Sequence, residues 1–100
     1  MEFIVSLKKT ENGIILVVTD EEIVGQKFEE GKLQLDLTQK FYQGEKKSAE
    51  EVKKMILGVY ILHLTGKKAV DLGLELKLIN KEKVLKVKNI PHAEAVIENS

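Results

Sequence analysis

Apolar and polar positions alternate at the start of the chain and predict a β-hairpin. In residues 3–8, every second side chain is Phe, Val or Leu, which is the period of a strand with one buried face. Residues 14–18 are apolar on both faces, as in a central strand. Between the two segments, Asn12-Gly13 tolerates the positive φ angles that a tight reversal requires.

The next segment, Asp20 to Phe28, predicts a helix of one or two turns. Asp20 is a suitable N-cap, and the two carboxylates that follow it favour the positive end of a helix. Gly25 can end that helix. A strand follows, because leucines occupy every second position from 33 to 37 and polar residues lie between them.

A long central helix is predicted from Ser48 to Thr65. The sequence Ser48-Ala49-Glu50-Glu51 matches a capping box, in which the serine hydroxyl and Glu51 bind each other's backbone amides. Apolar positions then follow one helical stripe, and its members are Val52, Ile56, Val59 and His63. Residues 55–62 are apolar almost all round, so this half is covered by its own chain on several sides or meets a second subunit.

Residues 67–78 predict a second helix, which Gly73 weakens. Residues 84–88 predict a last strand, and Pro91 ends it because proline cannot donate to a ladder. The order of elements has no regular βαβ alternation. We therefore expect one α+β domain over residues 1–100, a two-layer sandwich in which a largely antiparallel sheet of about four strands carries two helices on one face.

The composition excludes several classes of protein. The chain has 16 lysines, no arginine, 16 acidic residues, no cysteine and a net charge of zero. Without cysteine there is no disulfide framework, thiolate zinc site or iron–sulfur cluster, and we expect no cofactor and a cytoplasmic location. The N-terminus lacks the pattern of a signal peptide, and the longest apolar run is far shorter than the roughly 20 residues of a membrane span. No membrane association is expected.

Two Gly-Lys pairs, at Gly31 and at Gly66, do not match a phosphate-binding loop. Neither has both the second glycine at the required spacing and the hydroxyl residue after the lysine. A weaker anion site remains at Gly66, where the amides of a helix start lie beside Lys67 and Lys68. The alternative is a helix break with two solvated lysines.

Paired lysines keep nucleic-acid binding open although the net charge is zero. Arginine forks and a net positive charge are absent. Lysines recur in pairs and along residues 81–88, so folding can gather them on one face. The candidate nucleic-acid-binding residues are Lys67, Lys68, Lys86 and Lys88. The alternative is an ordinary solvated surface.

His92 is the candidate for titratable function near neutral pH. It follows Pro91, whose fixed φ presents the imidazole from a stiff corner, and we expect it within reach of residues 20–31 or of Phe41-Tyr42. The candidate ligand-binding residues are His92, Asp20, Glu22, Tyr42 and Glu94. The alternative is that His92 docks the C-terminal tail by a hydrogen bond to the backbone. His63 is placed at the edge of the core, and no metal site or catalytic set is predicted.

The chain resembles an archaeal family known as domain of unknown function 424. The resemblance rests on Asp20, Glu22, Gly25, Phe28, Glu30, Gly31, Phe41, Tyr42, Gly44, Gly66, Ala69, Val70, Pro91, His92 and Ala93. Two positions depart from the family pattern, which has an asparagine in place of His63 and a glutamine in place of Glu94. The resemblance implies an archaeal cytoplasmic protein with a two-layer α/β sandwich, and it implies no activity.

These observations favour a small binding or adaptor domain and leave open whether the protein is an enzyme. The leading hypothesis is an accessory that binds RNA or a ribonucleoprotein, supported by the lysine pairs. One alternative is a protein interaction domain, including a homodimer, supported by the apolar run from Met55 to Leu62. Another is a small-ligand-binding protein or enzyme centred on His92.

Overall fold

The computed structural model of the protein describes residues 2–97. Its strands and α-helices are β1 (Glu2–Thr10), β2 (Gly13–Asp20), β3 (Lys27–Glu30), β4 (Leu33–Asp36), β5 (Glu45–Ser48), α1 (Ala49–Met55), β6 (Ile61–Thr65), α2 (Lys67–Glu75), β7 (Leu85–Val87) and β8 (Ile90–Val96). Short 3₁₀ helices span Glu21–Ile23, Lys40–Tyr42, Ile56–Gly58 and Lys81–Lys83. Within residues 2–97, no helix has the length and apolar character needed to cross a membrane.

Six strands form the main sheet in the order β5-β1-β2-β6-β8-β7. The β2 and β6 strands run parallel, and the other neighbours are antiparallel. The predicted α+β class with two helices and a largely antiparallel sheet is confirmed, but the predicted number of about four strands is too small. The strand predicted at 33–37 is β4, which pairs with β3 in a separate hairpin. The main sheet gains β5, β6 and β8, which the sequence pattern did not predict.

The predicted central helix is wrong beyond Met55. Its capping box is confirmed, because Ser48 Oγ accepts from the Glu51 amide at 3.2 Å and Glu51 Oε1 accepts from the Ser48 amide at 3.1 Å. However, α1 ends at Met55, and the apolar run continues through a 3₁₀ turn into β6. Over so few residues, a strand buried on both faces has the same apolar pattern as a buried helix. His63 therefore lies on a strand, not on a helical stripe.

Both α-helices pack on one face of the sheet, where the main core lies. The buried residues of this core are Phe3, Val5, Leu16, Val18, Val52, Ile56, Val59, Leu62, Leu64, Ala69, Val70, Leu72 and Ala93. The strand members of this set occupy alternate positions, as expected for one sheet face. Gly73 lets α2 approach β6 closely, since a Cβ there would overlap the Leu64 side chain. The glycine that weakens the helix prediction thus permits the packing of that helix.

Residues 21–44 cover part of the opposite face. The 3₁₀ helix Lys40–Tyr42 packs on β1 and β2, and the β3–β4 hairpin packs on β7. A second apolar cluster forms there, made of Leu35, Leu37 and Val87 with Ile23, Phe28, Tyr42 and Ile90 around them. The helix predicted over residues 20–28 is reduced to Glu21–Ile23, because Gly25 turns the chain at φ +91° before β3 begins. The sheet is therefore covered on both faces in this region, unlike a simple two-layer sandwich.

Pro91 does not end the last strand, contrary to the prediction from the sequence. It lies within a further strand, β8, which pairs with β6 on one side and β7 on the other. Its carbonyl accepts from the Gly66 amide at 2.9 Å. The nitrogen of Pro91 faces the same side of β8 as this carbonyl, toward β6. Because β6 ends at Thr65, the missing N–H of Pro91 costs no hydrogen bond of the ladder. The preceding turn has Lys88 at φ +52° and Asn89 at φ +65°, as in the two-residue hairpins that match the twist of a sheet.

Asp20, Gly66 and Pro91 meet where β2 and β6 end and α2 begins. The Asp20 carboxylate accepts from the amides of Lys68 at 2.9 Å and Ala69 at 2.8 Å. Gly66 has φ +107° and ψ +157°, a conformation suited to glycine, and a Cβ there would overlap the Asp20 carboxyl group. Asp20 thus caps α2 and makes no side-chain cap to the 3₁₀ helix that directly follows it.

We expect Gly66→Ala to lower the free energy of unfolding more than Gly25→Ala. Gly25 also has a positive φ, but a Cβ there would meet open space, so alanine costs about 1–2 kcal/mol for the backbone conformation alone. At Gly66, overlap with Asp20 adds at least about 1 kcal/mol. Urea denaturation measures both variants. Equal losses would contradict a close contact between Asp20 and Gly66.

Candidate functional site

A depression with a volume of about 330 Å³ lies between α2 and the β7–β8 hairpin. Its lining residues are Lys67, Val70, Asp71, Leu74, Lys81, Val84, Lys86, Asn89 and Pro91. Val70 and Pro91 are buried and Leu74 and Val84 are half-buried, whereas the three lysines are exposed. Apolar groups therefore form the floor and lysines the rim. We call this feature the lysine depression.

The three lysines reach the lysine depression from three different elements. Lys67 is the first residue of α2, Lys81 begins the 3₁₀ helix Lys81–Lys83, and Lys86 lies in β7. The Asn80 side chain caps that 3₁₀ helix by accepting from the amide of its second residue at 3.1 Å. Within residues 2–97, none of the three lysines forms an ion pair with a carboxylate. Asp71 is the one acid among the lining residues, so the lining is net positive.

Two of the four lysines proposed from the sequence to bind nucleic acid, Lys67 and Lys86, are brought together in the lysine depression. Lys68 does not line the depression and forms an ion pair with Glu22. Lys88 lies in the β7–β8 turn outside the depression. Lys81 is the third member of the group. Its signal in the sequence is a lysine-rich segment, and only the packing of β7 beside α2 distinguishes it from the other lysines.

The start of α2 is already occupied by an anion of the protein itself. The amides that the sequence analysis left for an external anion are bound by the Asp20 carboxylate. Burial raises the pKa of this carboxyl group, while the amide hydrogen bonds from Lys68 and Ala69 act in the opposite direction. Glu22 adds a second carboxylate beside the helix start, with its Oε1 at 3.1 Å from Lys68 Nζ.

The five residues proposed to bind a small ligand are distributed over three places. These are the start of α2 for Asp20 and Glu22, the second apolar cluster for Tyr42, and the face of β8 opposite the helices for His92 and Glu94. Burial raises the pKa of the Tyr42 hydroxyl, with a smaller contribution from the charge of Asp36. The structure brings Asp20 close to Glu22 and His92 close to Glu94, but it does not join these two pairs and Tyr42 at one site. A ligand site centred on His92 stays a prediction.

His92 and His63 lie side by side on β8 and β6, with ring centroids 5.8 Å apart. The Oγ1 of Thr65 and the Nδ1 of His92 are 2.7 Å apart and share a hydrogen bond. Phe41 contacts His63 edge to face at a centroid distance of 5.3 Å. His92 therefore contacts His63, and His63 in turn contacts Phe41. The hydrogen bond of His92 is to the Thr65 side chain rather than to the backbone.

Two buried polar atoms of this face lack a hydrogen-bond partner among residues 2–97, namely Thr19 Oγ1 and His63 Nδ1. The other ring nitrogen of His63 lies 3.6 Å from Glu94 Oε2. A neutral imidazole can donate or accept a hydrogen bond and can take up a proton. Neither histidine lines the lysine depression or the depressions beside Tyr42 and Tyr60. The cluster therefore holds two buried polar atoms without a partner among residues 2–97, and it lies outside these depressions.

Comparison with known proteins identifies the relatives of the chain. The family described as "Protein of unknown function (DUF424)" matches residues 7–97. The chain belongs to the DUF424 family. The resemblance stated from the sequence is confirmed in this respect, whereas an archaeal origin and a cytoplasmic location stay predictions.

The DUF424 protein also has the fold of a solved structure described as an uncharacterized conserved protein from Methanopyrus kandleri. The two chains are 14% identical, and the TM-score is 0.80 over 100% of this chain and 96% of that chain. Comparison with curated proteins finds no match. His63 and Glu94 are cross-strand partners on β6 and β8, so both belong to the same contact.

We expect the DUF424 protein to lose stability in mild acid through His92. Burial lowers the pKa of His92, the charge of His63 lowers it further, and Glu94 opposes both. Between the folded-state pKa and the ordinary value of 6.5, the unfolded chain binds more protons at this residue. The free energy of unfolding therefore falls as the pH decreases below 6.5. NMR titration of the His92 ring protons gives the midpoint, and urea denaturation at each pH gives the stability.

The variant His92→Gln provides the control, because glutamine can still bond Thr65 but does not titrate. In this variant we expect a smaller loss of stability over the same pH range. A His92 midpoint at or above 6.5, or an unchanged pH dependence in His92→Gln, would contradict the burial argument.

Proposed function

We propose that this DUF424 protein is a small non-enzymatic domain that binds RNA, alone or within a ribonucleoprotein, through the lysine depression. The observation that carries the proposal is the convergence of Lys67, Lys81 and Lys86 on one concave surface. Ammonium groups that lack a carboxylate partner attract phosphate oxygens as point charges. Since the three lysines come from separate elements, their spacing is set by the packing of α2 against the β7–β8 hairpin.

The distribution of the acids supports this assignment. Several carboxylates elsewhere are paired with other lysines, as in Lys46 with Glu21 at 2.7 Å and Lys68 with Glu22 at 3.1 Å. Pairing of this kind neutralises those parts of the surface and leaves a local excess of positive charge at the depression. A net charge of zero is therefore compatible with a phosphate-binding patch.

We expect binding of a short single-stranded RNA of mixed sequence to weaken steeply with salt. Three lysine–phosphate contacts give a slope of about −2 in a plot of log affinity against log salt concentration. Affinity then falls about 20-fold between about 50 and about 200 mM salt. Fluorescence anisotropy with labelled RNA measures both quantities. No binding at low salt would overturn the proposal.

The triple variant Lys67→Gln, Lys81→Gln and Lys86→Gln should remove most of this binding and bring the salt slope close to zero. Its matched control is Lys9→Gln, Lys32→Gln and Lys54→Gln, which removes the same charge from exposed lysines outside the depression. The control should bind RNA within about two-fold of the unmodified protein, because these lysines do not line the depression and the attraction of an exposed charge is screened by salt as distance increases. Equal losses in both triple variants would indicate non-specific attraction and contradict the assigned surface.

A second candidate function is self-association through the segment Leu57–Tyr60. The structure leaves Leu57 76% and Tyr60 37% exposed, although Ile56 is buried within its own chain. Exposed apolar side chains that lie close together often mark a contact with another protein. This candidate involves a surface other than the lysine depression, so it is compatible with RNA binding.

If this segment forms a homodimer, sedimentation equilibrium should show a dimer that Leu57→Lys converts to monomer. The matched control is Leu33→Lys, which adds the same charge at a position on the β3–β4 hairpin that is 56% exposed. That variant should remain dimeric. A monomer at every concentration of the unmodified protein would exclude the second candidate.

A further inference from the structure

We propose that the lysine depression holds one unpaired nucleotide of the bound RNA, with the phosphate on the lysines and the base on the apolar floor. This inference rests on the proposed function and adds the class of ligand. It is carried by the combination of an apolar floor, a lysine rim and an amide side chain in one concave surface.

The floor is larger than a phosphate group needs. Val70, Leu74, Val84 and Pro91 contribute apolar surface to the depression, whereas a phosphate alone is held by charge and hydrogen bonds. Small-molecule pockets usually enclose about 300–1,000 Å³, so about 330 Å³ suits one nucleotide rather than a folded RNA element. A base can enter such a space only when it is unstacked and unpaired.

Asn89 supplies a group that can recognise a base edge. The residue lines the depression, and its side chain makes no hydrogen bond to any residue from 2 to 97. A carboxamide both donates and accepts, as base edges do. The residue sits at φ +65° in the β7–β8 turn, which asparagine tolerates better than most residues. The turn thus places an amide beside the lysines without requiring a glycine.

The test is an NMR titration of the full chain with the 5′-monophosphates of adenosine, guanosine, cytidine and uridine, and in parallel with inorganic phosphate. We expect the nucleotides to shift the methyl resonances of Leu74 and Val84, which line the floor. Inorganic phosphate should shift only resonances near Lys67, Lys81 and Lys86. Methyl shifts of equal size with inorganic phosphate would show that the base does not occupy the floor, and would overturn the inference.

The variant Asn89→Gly removes the amide and keeps a residue that accepts a positive φ. We expect it to weaken binding of the preferred nucleotide about 5- to 10-fold, as for the loss of one hydrogen bond, and to leave inorganic phosphate binding unchanged. The matched control is Lys77→Gly, at φ +59° after α2 and outside the depression, which should bind nucleotides normally. An unchanged nucleotide affinity in Asn89→Gly would contradict the role of the amide.

The two proposals fail in different ways. If RNA binds with the expected salt slope but no nucleotide shifts the Leu74 and Val84 methyls, the proposed function stands and the nucleotide site is wrong. If nucleotides bind to the depression but RNA does not bind at low salt, the proposed function is wrong. The inference that the nucleotide belongs to a bound RNA is then wrong as well.

Discussion

The hydrogen bonds from the α2 amides to the Asp20 carboxylate are the contact on which the rest of the structure depends. They tie the end of β2 to the start of α2, 48 positions later in the chain. Gly66 fits between them because it has no Cβ, and its own amide binds the carbonyl of Pro91 in β8. Three strands and a helix therefore meet at one point. Lys67 follows directly from this junction, and its place on the lysine depression depends on it.

The two faces of the main sheet differ in the polarity of the side chains that they bury. The face under the helices is filled by aliphatic side chains and Phe3, which bury apolar area. The opposite face carries Thr19, Thr65 and the two histidines under the Phe41-Tyr42 segment. Polar groups in such a place cost stability unless they find partners. Burial of His92 lowers its pKa for the same reason.

Charge in this protein is organised locally rather than overall. Equal numbers of basic and acidic residues give no net charge, yet the acids near the start of α2 are engaged with Lys68 and the helix amides. Among the described residues 2–97, no carboxylate pairs with Lys67, Lys81 or Lys86 at the depression. The net charge of the sequence does not reveal a patch of this kind, because attraction to phosphate depends on the distances between charges.

The sequence by itself determined the elements whose signals are local. The reversal before Gly13, the capping box at Ser48 and the helix after Gly66 depend on neighbours a few residues apart, and each forms at the predicted place. Of the predicted turn pair only Gly13 has a positive φ, and the helix ends at Glu75 rather than at residue 78. Only the tertiary structure decided that residues 61–65 form a strand, because the short apolar run that leads into them fits a buried strand and a buried helix equally well. It also decided that Asp20 caps a distant helix and that Lys81 and Asn89 join Lys67 at one depression. Those contacts join residues far apart in the chain, and their partners are chosen by the packing of the sheet.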